Sequence, residues 1–287
     1  MRLISFTRVG QPGFGAIAPS GVVDLTGIFG SRITGLRHLL AAGRLDEAKA
    51  YIAGRAADFA LSDITMLPVV PDPGKILCVG LNYETHRAET KRPEAQHPTI
   101  FTRYADSQIA HGQAMIRPAV SEKLDYEGEL AVIIGMGGRY IAEADAMRHV
   151  AGYACYNDGT ARDWQKHTHQ FCPGKTFPAT GAFGPWMLTR DEVPDYRELP
   201  IETRVNGAVV QSARLSDLIF PIERLIAYIS SFTPLACGDV ILTGTPGGVG
   251  DRREPPIYLK AGDSVEVEIG PLGRLANMVM DEELVSP

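Results

Sequence analysis

Three acidic residues alternate in the segment Asp125-Tyr-Glu127-Gly-Glu129, directly before the apolar run LAVIIG (130–135). Because successive side chains of a strand point to opposite faces, the three carboxylates are expected to share one face. Carboxylates that converge in this way can bind a hard cation. A solvated strand face would have the same spacing, so the pattern leaves both interpretations open.

A second acidic strand offers a comparison for the first. Glu266 and Glu268 have the same spacing in the segment SVEVEIG. The segment around Glu127 differs because Ala131 and Ile133 continue its carboxylate face into apolar surroundings. This difference favours a buried site at Glu127 over a solvated surface.

His86 and Glu89 follow the apolar run KILCVG (75–80). A separation of three residues places the two side chains side by side on a helical turn. A carboxylate beside an imidazole raises its basicity and fixes its tautomer, as a general base requires. The same pair is also common on exposed helix faces, which is the alternative interpretation.

Two further segments are candidates for ligand contacts. Residues 156–165 are dense in polar groups, and Lys175 lies between Gly174 and the Thr-Phe pair of GKTF. A lysine fixed there could stabilise a carboxylate or an oxyanion. Residues 242–250, LTGTPGGVG, match neither the phosphate loop nor the dinucleotide-binding motif. For these segments, ordinary surface and a glycine turn are the alternatives.

Short apolar or alternating runs, most of which end at glycine, predict the strands that must position these residues. They are MRLISFTR (1–8), GVVDL (21–25), KILCVG (75–80), LAVIIG (130–135), DVILTG (239–244) and SVEVEIG (264–270). Residues 201–211 alternate around Asn206-Gly207, a strong signal for a tight hairpin. The second part of the chain is therefore predicted to be rich in strands.

Helices are predicted at three places. Apolar residues recur at roughly helical spacing between Ile33 and Phe59. A single apolar stripe follows Pro221, a residue suited to the first turn of a helix. A third, less regular pattern covers residues 142–150. Few helices among many strands predict an α+β fold.

Residues 68–74 contain three prolines and a glycine, which predict a stiff, extended connector. We therefore predict a small N-terminal α+β domain over residues 1–70 and a second domain over residues 71–287.

Composition excludes several classes of protein. The chain has 287 residues, of which 45% are hydrophobic and 22% charged, and its formal net charge is −6. These values are typical of globular proteins, and the negative charge argues against nucleic-acid binding. We expect no membrane segment, because no apolar run approaches the ~20 residues of a membrane helix. The N-terminus has no signal-peptide pattern, and four scattered cysteines without a CxxC pair predict a cytoplasmic protein.

Taken in order, seven motifs resemble the fumarylacetoacetate hydrolase family over about residues 75–270. They are GLNYETHRAE (80–89), DYEGELAVIIG (125–135), GYACYNDGTARDWQ (152–165), GKTF (174–177), FGPW (183–186), NGAVVQ (206–211) and DLIFPIERLIAYISSFTPLACGDVILTGTPGGVG (217–250). The resemblance implies an α+β fold whose catalytic core is a mixed, β-rich β-roll.

The resemblance also implies one divalent cation per chain, Mg²⁺ or Mn²⁺, bound by Glu127, Glu129 and Asp158. Three carboxylates converging at about 4 Å would repel by roughly 4 kcal/mol per pair at an effective dielectric of 20. Such a set must be protonated, solvated or neutralised by a cation. All-oxygen ligands favour Mg²⁺ or Mn²⁺ over zinc.

By the same resemblance, His86 and Glu89 form the dyad that activates water, and Lys175 is a third catalytic residue that stabilises an enolate. Candidate substrate contacts are Tyr83, Arg103, Arg162, Gln165 and Thr245. The implied substrate is a small 2-oxo acid, often a 2,4-dioxo acid, that chelates the metal through its 2-oxo group and one carboxylate oxygen.

Our first hypothesis is metal-dependent hydrolysis of a carbon–carbon bond in a 2,4-dioxo acid of the acylpyruvate or fumarylpyruvate type, in catabolism. The alternative is decarboxylation or isomerisation of a 2-oxo acid, of the oxaloacetate decarboxylase or 2-hydroxy-dienedioate isomerase type. A remote alternative is a ligand-binding protein without turnover, for which loss of the dyad would be the signature. The resemblance further implies a homodimer.

Overall fold

The computed structural model describes residues 1–91 and 94–283. The strands are β1 (Arg2–Arg8), β2 (Gln11–Ala18), β3 (Gly21–Asp24), β4 (Thr65–Met66), β5 (Ile76–Gly80), β6 (Thr99–Arg103), β7 (Gln108–Ile109), β8 (Met115–Arg117), β9 (Leu124–Asp125), β10 (Gly128–Ile134), β11 (Val150–Asp158), β12 (Thr160–Ala161), β13 (Gly181–Thr189), β14 (Pro200–Val205), β15 (Ala208–Arg214), β16 (Val240–Leu242), β17 (Ser264–Glu268) and β18 (Arg274–Asp281). The α-helices are α1 (Leu36–Ala41), α2 (Leu45–Ile52), α3 (Glu84–Glu89), α4 (Arg162–Gln165), α5 (Cys172–Lys175) and α6 (Ile222–Phe232). None of the helices in the described residues is long and apolar enough to cross a membrane.

A mixed, 11-stranded sheet forms the centre of the molecule, with the main order β3-β2-β1-β13-β11-β10-β16-β5-β6. Its neighbours β10 and β11 are antiparallel, whereas β16 and β5 are parallel. Every residue of β10 and β11 is buried. Both faces of these strands are covered, which explains why LAVIIG reads as a continuous apolar run rather than an alternating one. The predicted sheet-rich α+β class is confirmed.

The acidic segment is not the single continuous strand that its alternation predicts. Leu124 and Asp125 form β9, which pairs with β12, and β10 begins only at Gly128. At the break, the backbone N–H of Glu127 donates to Asn157 Oδ1 at 2.9 Å, and that of Gly128 donates to Gln211 Oε1 at 3.0 Å. The two N–H groups thus donate to side-chain oxygens from distant parts of the chain instead of to the carbonyl groups of a neighbouring strand.

A second sheet has five strands in the order β15-β14-β17-β18-β8. The predicted hairpin joins β14 to β15 and is confirmed. Its turn residues Asn206 and Gly207 have φ angles of 52° and 79°. Both central residues are therefore in the left-handed region, as a type I′ turn requires.

The helix predictions have three different outcomes. The helix after Pro221 is confirmed as α6, with its apolar stripe buried in the core. The region 33–59 contains two short helices instead of one pattern, and Gly43, with φ of 66°, lies between them. Residues 143–149 form a 3₁₀ helix rather than an α-helix.

The N-terminal segment shares the central sheet. Strand β1 pairs with β13 through Arg2↔Leu188 and Leu3↔Met187. Apolar residues of the first 70 positions, such as Leu3 and Leu36, belong to the same buried cluster as Ala131 of β10. The division into residues 1–70 and 71–287 remains a prediction about independently folding units.

We predict that Ile226→Ala lowers the free energy of unfolding by about 2–5 kcal/mol, because Ile226 of α6 is fully buried in the core and the truncation leaves a cavity. Phe232 lies on the same helix with 51% of its surface exposed. Its replacement by alanine should therefore change stability by no more than about 0.5 kcal/mol. Urea denaturation measures both variants, and equal losses would contradict the assigned packing of α6.

Candidate metal and catalytic site

A cavity of about 500 Å³ lies beside the ends of β5 and β11 and the beginning of β10. Seven of the predicted site residues line it: His86, Glu127, Glu129, Arg162, Gln165, Lys175 and Thr245. They come from five separate segments of the chain, which the fold brings to one place.

The acidic centre consists of Glu127, Glu129 and Asp158, all of which are buried. One carboxylate oxygen from each lies within 4.8 Å of the other two. The antiparallel register of β10 and β11 causes this convergence, because Gly128 pairs with Asn157. Glu127 and Asp158 are consequently neighbours at the end of the ladder, where the N–H of Asp158 donates to Glu127 O at 2.8 Å.

Basic side chains are interleaved with these carboxylates. Lys175 Nζ donates to Glu127 Oε2 and to Asp158 Oδ2, each at 2.6 Å. Arg162 Nη1 is 2.7 Å from Glu127 Oε1, and Arg103 forms an ion pair with Asp158. Burial raises the pKa of Glu127, but Lys175 and Arg162 outweigh it and lower this pKa to about 2. Glu127 is therefore ionised at neutral pH.

Glu129 is in a different electrostatic environment. Within the described residues it has no salt bridge, and its one donor is the N–H of Gly244, at 2.8 Å from Oε2. Burial, followed by the charges of Asp158 and Glu127, raises the pKa of Glu129 well above its usual range. A divalent cation bound among the three carboxylates would offset the repulsion between their charges and the cost of burying them. The all-oxygen donor set is the type that Mg²⁺ and Mn²⁺ prefer, so the residues present fit the implied metal.

The predicted dyad is formed on helix α3. His86 Nδ1 lies 2.6 Å from Glu89 Oε1, and Glu89 Oε2 accepts the N–H of Gly248 at 2.9 Å. Glu89 acts as an acceptor in both bonds, so Nδ1 of His86 carries the proton and donates it. In the neutral tautomer that this bond favours, Nε2 holds the lone pair, in a buried side chain that lines the cavity. His86 is thus arranged as a base at this end of the cavity.

The glycine-rich segment 244–250 holds the carboxylates of the site. The N–H of Gly244 binds Glu129, that of Gly248 binds Glu89, and that of Gly250 binds Asp125. Gly244 and Gly248 have φ angles of 100° and 102°, which favour glycine. The close-approach interpretation of LTGTPGGVG is therefore correct, and its backbone amides have a function beyond forming the turn.

The two short helices α4 and α5 carry the polar groups opposite the dyad. Gly174 of α5 approaches the backbone of Gln165 so closely that a Cβ at Gly174 would lie about 2.5 Å from Gln165 N. This contact places Lys175 beside Arg162 and Gln165. Arg162 Nη1 also donates to Gln165 Oε1 at 3.1 Å, whereas Nη2 is buried without a partner. Thr245 lies across the cavity, where its hydroxyl donates to Gly128 O at 2.9 Å.

Tyr83 and Arg103 are predicted substrate contacts, but neither lines the cavity. Tyr83 packs in the apolar core, and its buried hydroxyl has no hydrogen-bond partner among the described residues. Arg103 is buried behind Asp158 and donates to Ser107 Oγ at 3.0 Å and Thr180 Oγ1 at 2.6 Å. The structure therefore gives Arg103 a role in holding Asp158 instead.

Sequence reasoning missed several residues of the site. Phe101, Phe171 and Asp251 line the cavity, and so do His167 and His169. The two histidines are exposed. The contacts of the others depend on chain segments that are distant in sequence.

Glu266 and Glu268, the comparison pair, lie on a partly exposed strand face of the second sheet. Glu268 Oε2 is 2.7 Å from Arg204 Nη1 and 3.1 Å from Arg274 Nη2. Surface ion pairs of this kind contribute little to stability. The two acidic patterns with equal spacing therefore have different environments, as the apolar continuation after Glu129 predicts.

Comparisons with known proteins agree with this geometry. Residues 75–280 match the family model described as fumarylacetoacetate (FAA) hydrolase C-terminal. The chain is 38% identical to the mitochondrial oxaloacetate tautomerase fahd2 of Xenopus laevis over 98% of this chain and 90% of that protein. It is 40% identical to the oxaloacetate tautomerase YisK of Bacillus subtilis over 77% of this chain and 75% of that protein.

Among solved structures, the chain resembles maleylpyruvate hydrolase from Sphingobium sp. SYK-6, a structure that contains manganese(II) ion and pyruvate. The TM-score is 0.82 at 27% identity, with 99% of this chain and 100% of that chain covered. The matched family model spans the acidic centre, the dyad and the glycine-rich segment. The chain therefore belongs to the fumarylacetoacetate hydrolase family of enzymes.

Proposed function

We propose that this protein is a metal-dependent tautomerase that interconverts the enol and keto forms of oxaloacetate or a similar 2-oxo dicarboxylic acid. The observation that carries the proposal is the position of His86. The ring nitrogen that is not bonded to Glu89, Nε2, belongs to a buried ring that lines the same cavity as Glu127, Glu129 and Lys175. Tautomerisation needs one group that moves a proton and one cationic group that stabilises the enolate oxygen, and the cavity has both.

The acidic centre is proposed to hold one Mg²⁺ or Mn²⁺ through Glu127, Glu129 and Asp158. When bound, such a cation would act as a Lewis acid that polarises the 2-oxo group of the substrate. The chain's own cations complete this environment. Arg162 has a buried, unpartnered Nη2, and we assign it with Gln165 to a carboxylate of the substrate. The Lys175 ammonium is assigned to the C2 oxygen.

His86 is proposed to transfer the proton at C3. In the direction from keto to enol, Nε2 takes a proton from the C3 methylene while the C2 oxygen gains the negative charge. The C2 oxygen then takes a proton from solvent, and the imidazolium releases its proton to solvent. In the reverse direction, the enol oxygen gives its proton to solvent and the imidazolium gives a proton to C3. Glu89 stabilises the imidazolium through Nδ1, and the N–H of Gly248 fixes Glu89 in turn. The proton thus moves between C3 and a single side chain.

Carbon–carbon bond hydrolysis, our first hypothesis from the sequence, uses the same residues in another way. His86 would take a proton from water instead of C3, and the water would attack a 4-oxo carbon. The names of the curated relatives favour the alternative, because both are oxaloacetate tautomerases. Decarboxylation of oxaloacetate also passes through the same enolate, so the reaction products distinguish the three possibilities.

We further propose that the protein acts as a homodimer on a free small-molecule substrate. All four cysteines are free thiols, which is compatible with the reducing cytoplasm that we propose as its location. Gel filtration with light scattering would test the proposed dimer directly.

The proposed function predicts that the protein accelerates the conversion of enol-oxaloacetate to the keto form only when Mg²⁺ or Mn²⁺ is present. The loss of enol absorbance in the ultraviolet measures this rate, with metal alone as the control because free cations also catalyse the reaction. Chelation by EDTA should return the rate to that of buffer.

Product analysis separates the proposed reaction from its alternatives. Release of pyruvate from oxaloacetate in step with the loss of the enol would indicate decarboxylation. Cleavage of acetylpyruvate to acetate and pyruvate, without acceleration of oxaloacetate tautomerisation, would refute the proposal and favour hydrolysis.

The metal assignment predicts that Glu129→Gln weakens Mn²⁺ binding by more than the ~10–100-fold typical of losing a residue outside the ligand set. Titration calorimetry on EDTA-treated protein measures this affinity. Glu266→Gln is the matched control, since Glu266 has the same sequence spacing but lies on the second sheet. Equal Mn²⁺ affinity in wild type and Glu129→Gln would contradict the proposed ligand set.

The proposed role of His86 predicts that His86→Ala lowers kcat by about 10²–10⁴-fold, because the proton at C3 loses its acceptor. The Mn²⁺ affinity should stay within about threefold of wild type, since the imidazole is not among the proposed ligands. Stopped-flow kinetics and calorimetry measure the two quantities. Unchanged turnover in His86→Ala would show that another group moves the proton.

A further inference from the structure

Asp125 is a buried carboxylate that is not one of the three carboxylates of the acidic centre. Its side chain is fully buried, and none of the proposed metal ligands contacts it. Oδ1 accepts the N–H of Gly250 at 2.8 Å and that of Tyr126 at 2.9 Å. Oδ2 accepts the N–H of Asp251 at 2.9 Å and Nε of Arg162 at 2.7 Å. Both oxygens are thus fully occupied by hydrogen bonds.

These bonds decide how Arg162 presents its guanidinium group. Nε is held by Asp125, and Nη1 is held by Glu127 at 2.7 Å and by Gln165 at 3.1 Å. Within the part of the chain that the structure describes, no group accepts a hydrogen bond from the buried Nη2, and the Arg162 side chain lines the cavity. A planar guanidinium fixed at two of its nitrogens has no freedom to turn the third away.

The same carboxylate also fixes the loop 248–251. A Cβ at Gly250 would overlap Ile257 O and would approach Asp125 Oδ1 to 2.6 Å, so the backbone passes directly over Asp125. Gly248, at the other end of the loop, donates to Glu89 of the dyad. The loop is therefore held at one end by the partner of His86 and at the other by the partner of Arg162.

We propose that Asp125 is a positioning residue that orients the Arg162 guanidinium at the wall of the cavity, where it binds a substrate carboxylate. This inference rests on the proposed function, because that function assigns Arg162 to the substrate. Asp125 itself touches neither the substrate nor the proposed metal ligands. Its effect on turnover must therefore pass through Arg162.

A double-mutant cycle with Asp125→Asn and Arg162→Lys tests this dependence. We expect each single variant to lower kcat/KM for oxaloacetate by about 10–100-fold, the size typical of losing a residue that orients a binding group. In the Arg162→Lys background, Asp125→Asn should lower kcat/KM by less than about twofold further, because the residue it orients is already altered. Effects that multiply would overturn the proposal.

Asp239→Asn is the matched control for a purely structural effect. Asp239 is also fully buried, accepts the N–H groups of Lys75 and Ala236, and pairs with Lys75 Nζ at 2.8 Å. It does not line the cavity. We expect a comparable loss of thermal stability with kcat/KM within about twofold of wild type. An equal loss of kcat/KM in both variants would indicate general destabilisation and overturn the proposal.

A second measurement does not depend on any activity. Hydrogen exchange by NMR follows the amides of Gly250 and Asp251 and the Nε–H of Arg162 in wild type and in Asp125→Asn. We expect exchange at these three sites to become at least about tenfold faster in the variant, and to stay unchanged in Asp239→Asn. Unaltered exchange would refute the positioning role. Absence of oxaloacetate turnover in wild type would refute the proposed function alone.

Discussion

The whole site depends on the repulsion between three buried carboxylates. Oxygens of Glu127, Glu129 and Asp158 lie within 4.8 Å of one another. At ~4 Å each pair of charges costs about 4 kcal/mol at an effective dielectric of 20, and burial adds several kcal/mol per ion. The fold offsets this cost with Lys175, which lies between two of the carboxylates. Together with Asp125, four carboxylates face the three cations Arg103, Arg162 and Lys175, which leaves one formal negative charge.

That uncompensated charge has a specific location. Glu127 and Asp158 both have basic partners, whereas Glu129 has only the amide of Gly244. The elevated pKa of Glu129 expresses the same imbalance. Rigid surroundings keep it from relaxing, because β10 and β11 are buried on both faces and a close-packed interior resists rearrangement. The fold thus holds more carboxyl groups than basic groups at this place, a condition that suits a cation site.

Much of this could be predicted from the sequence where the relevant residues are close together. The side-by-side placement of His86 and Glu89 follows from a spacing of three, and the hairpin at Asn206-Gly207 follows from local backbone preference. The break before Gly128 could not be predicted, because Asn157 and Gln211 accept the N–H groups there from distant segments. The roles of Arg103 and Asp125 were missed for the same reason. Local patterns identify candidate groups, but their partners are set by long-range register.

The choice between hydrolysis and tautomerisation is a matter of what surrounds the shared centre. The carboxylates and the dyad are held by the central sheet, α3 and the glycine-rich segment, and both reactions need them. Loops carry most reaction-specific residues in enzymes with a common scaffold. Here residues 166–169 also line the cavity, as do Val249, Asp251 and Arg252. Asp251 belongs to this loop region and is bound by Lys166 at 2.7 Å and, through its amide, by Asp125. Changes in residues 166–169 can therefore alter substrate fit and water access while the acidic centre is kept.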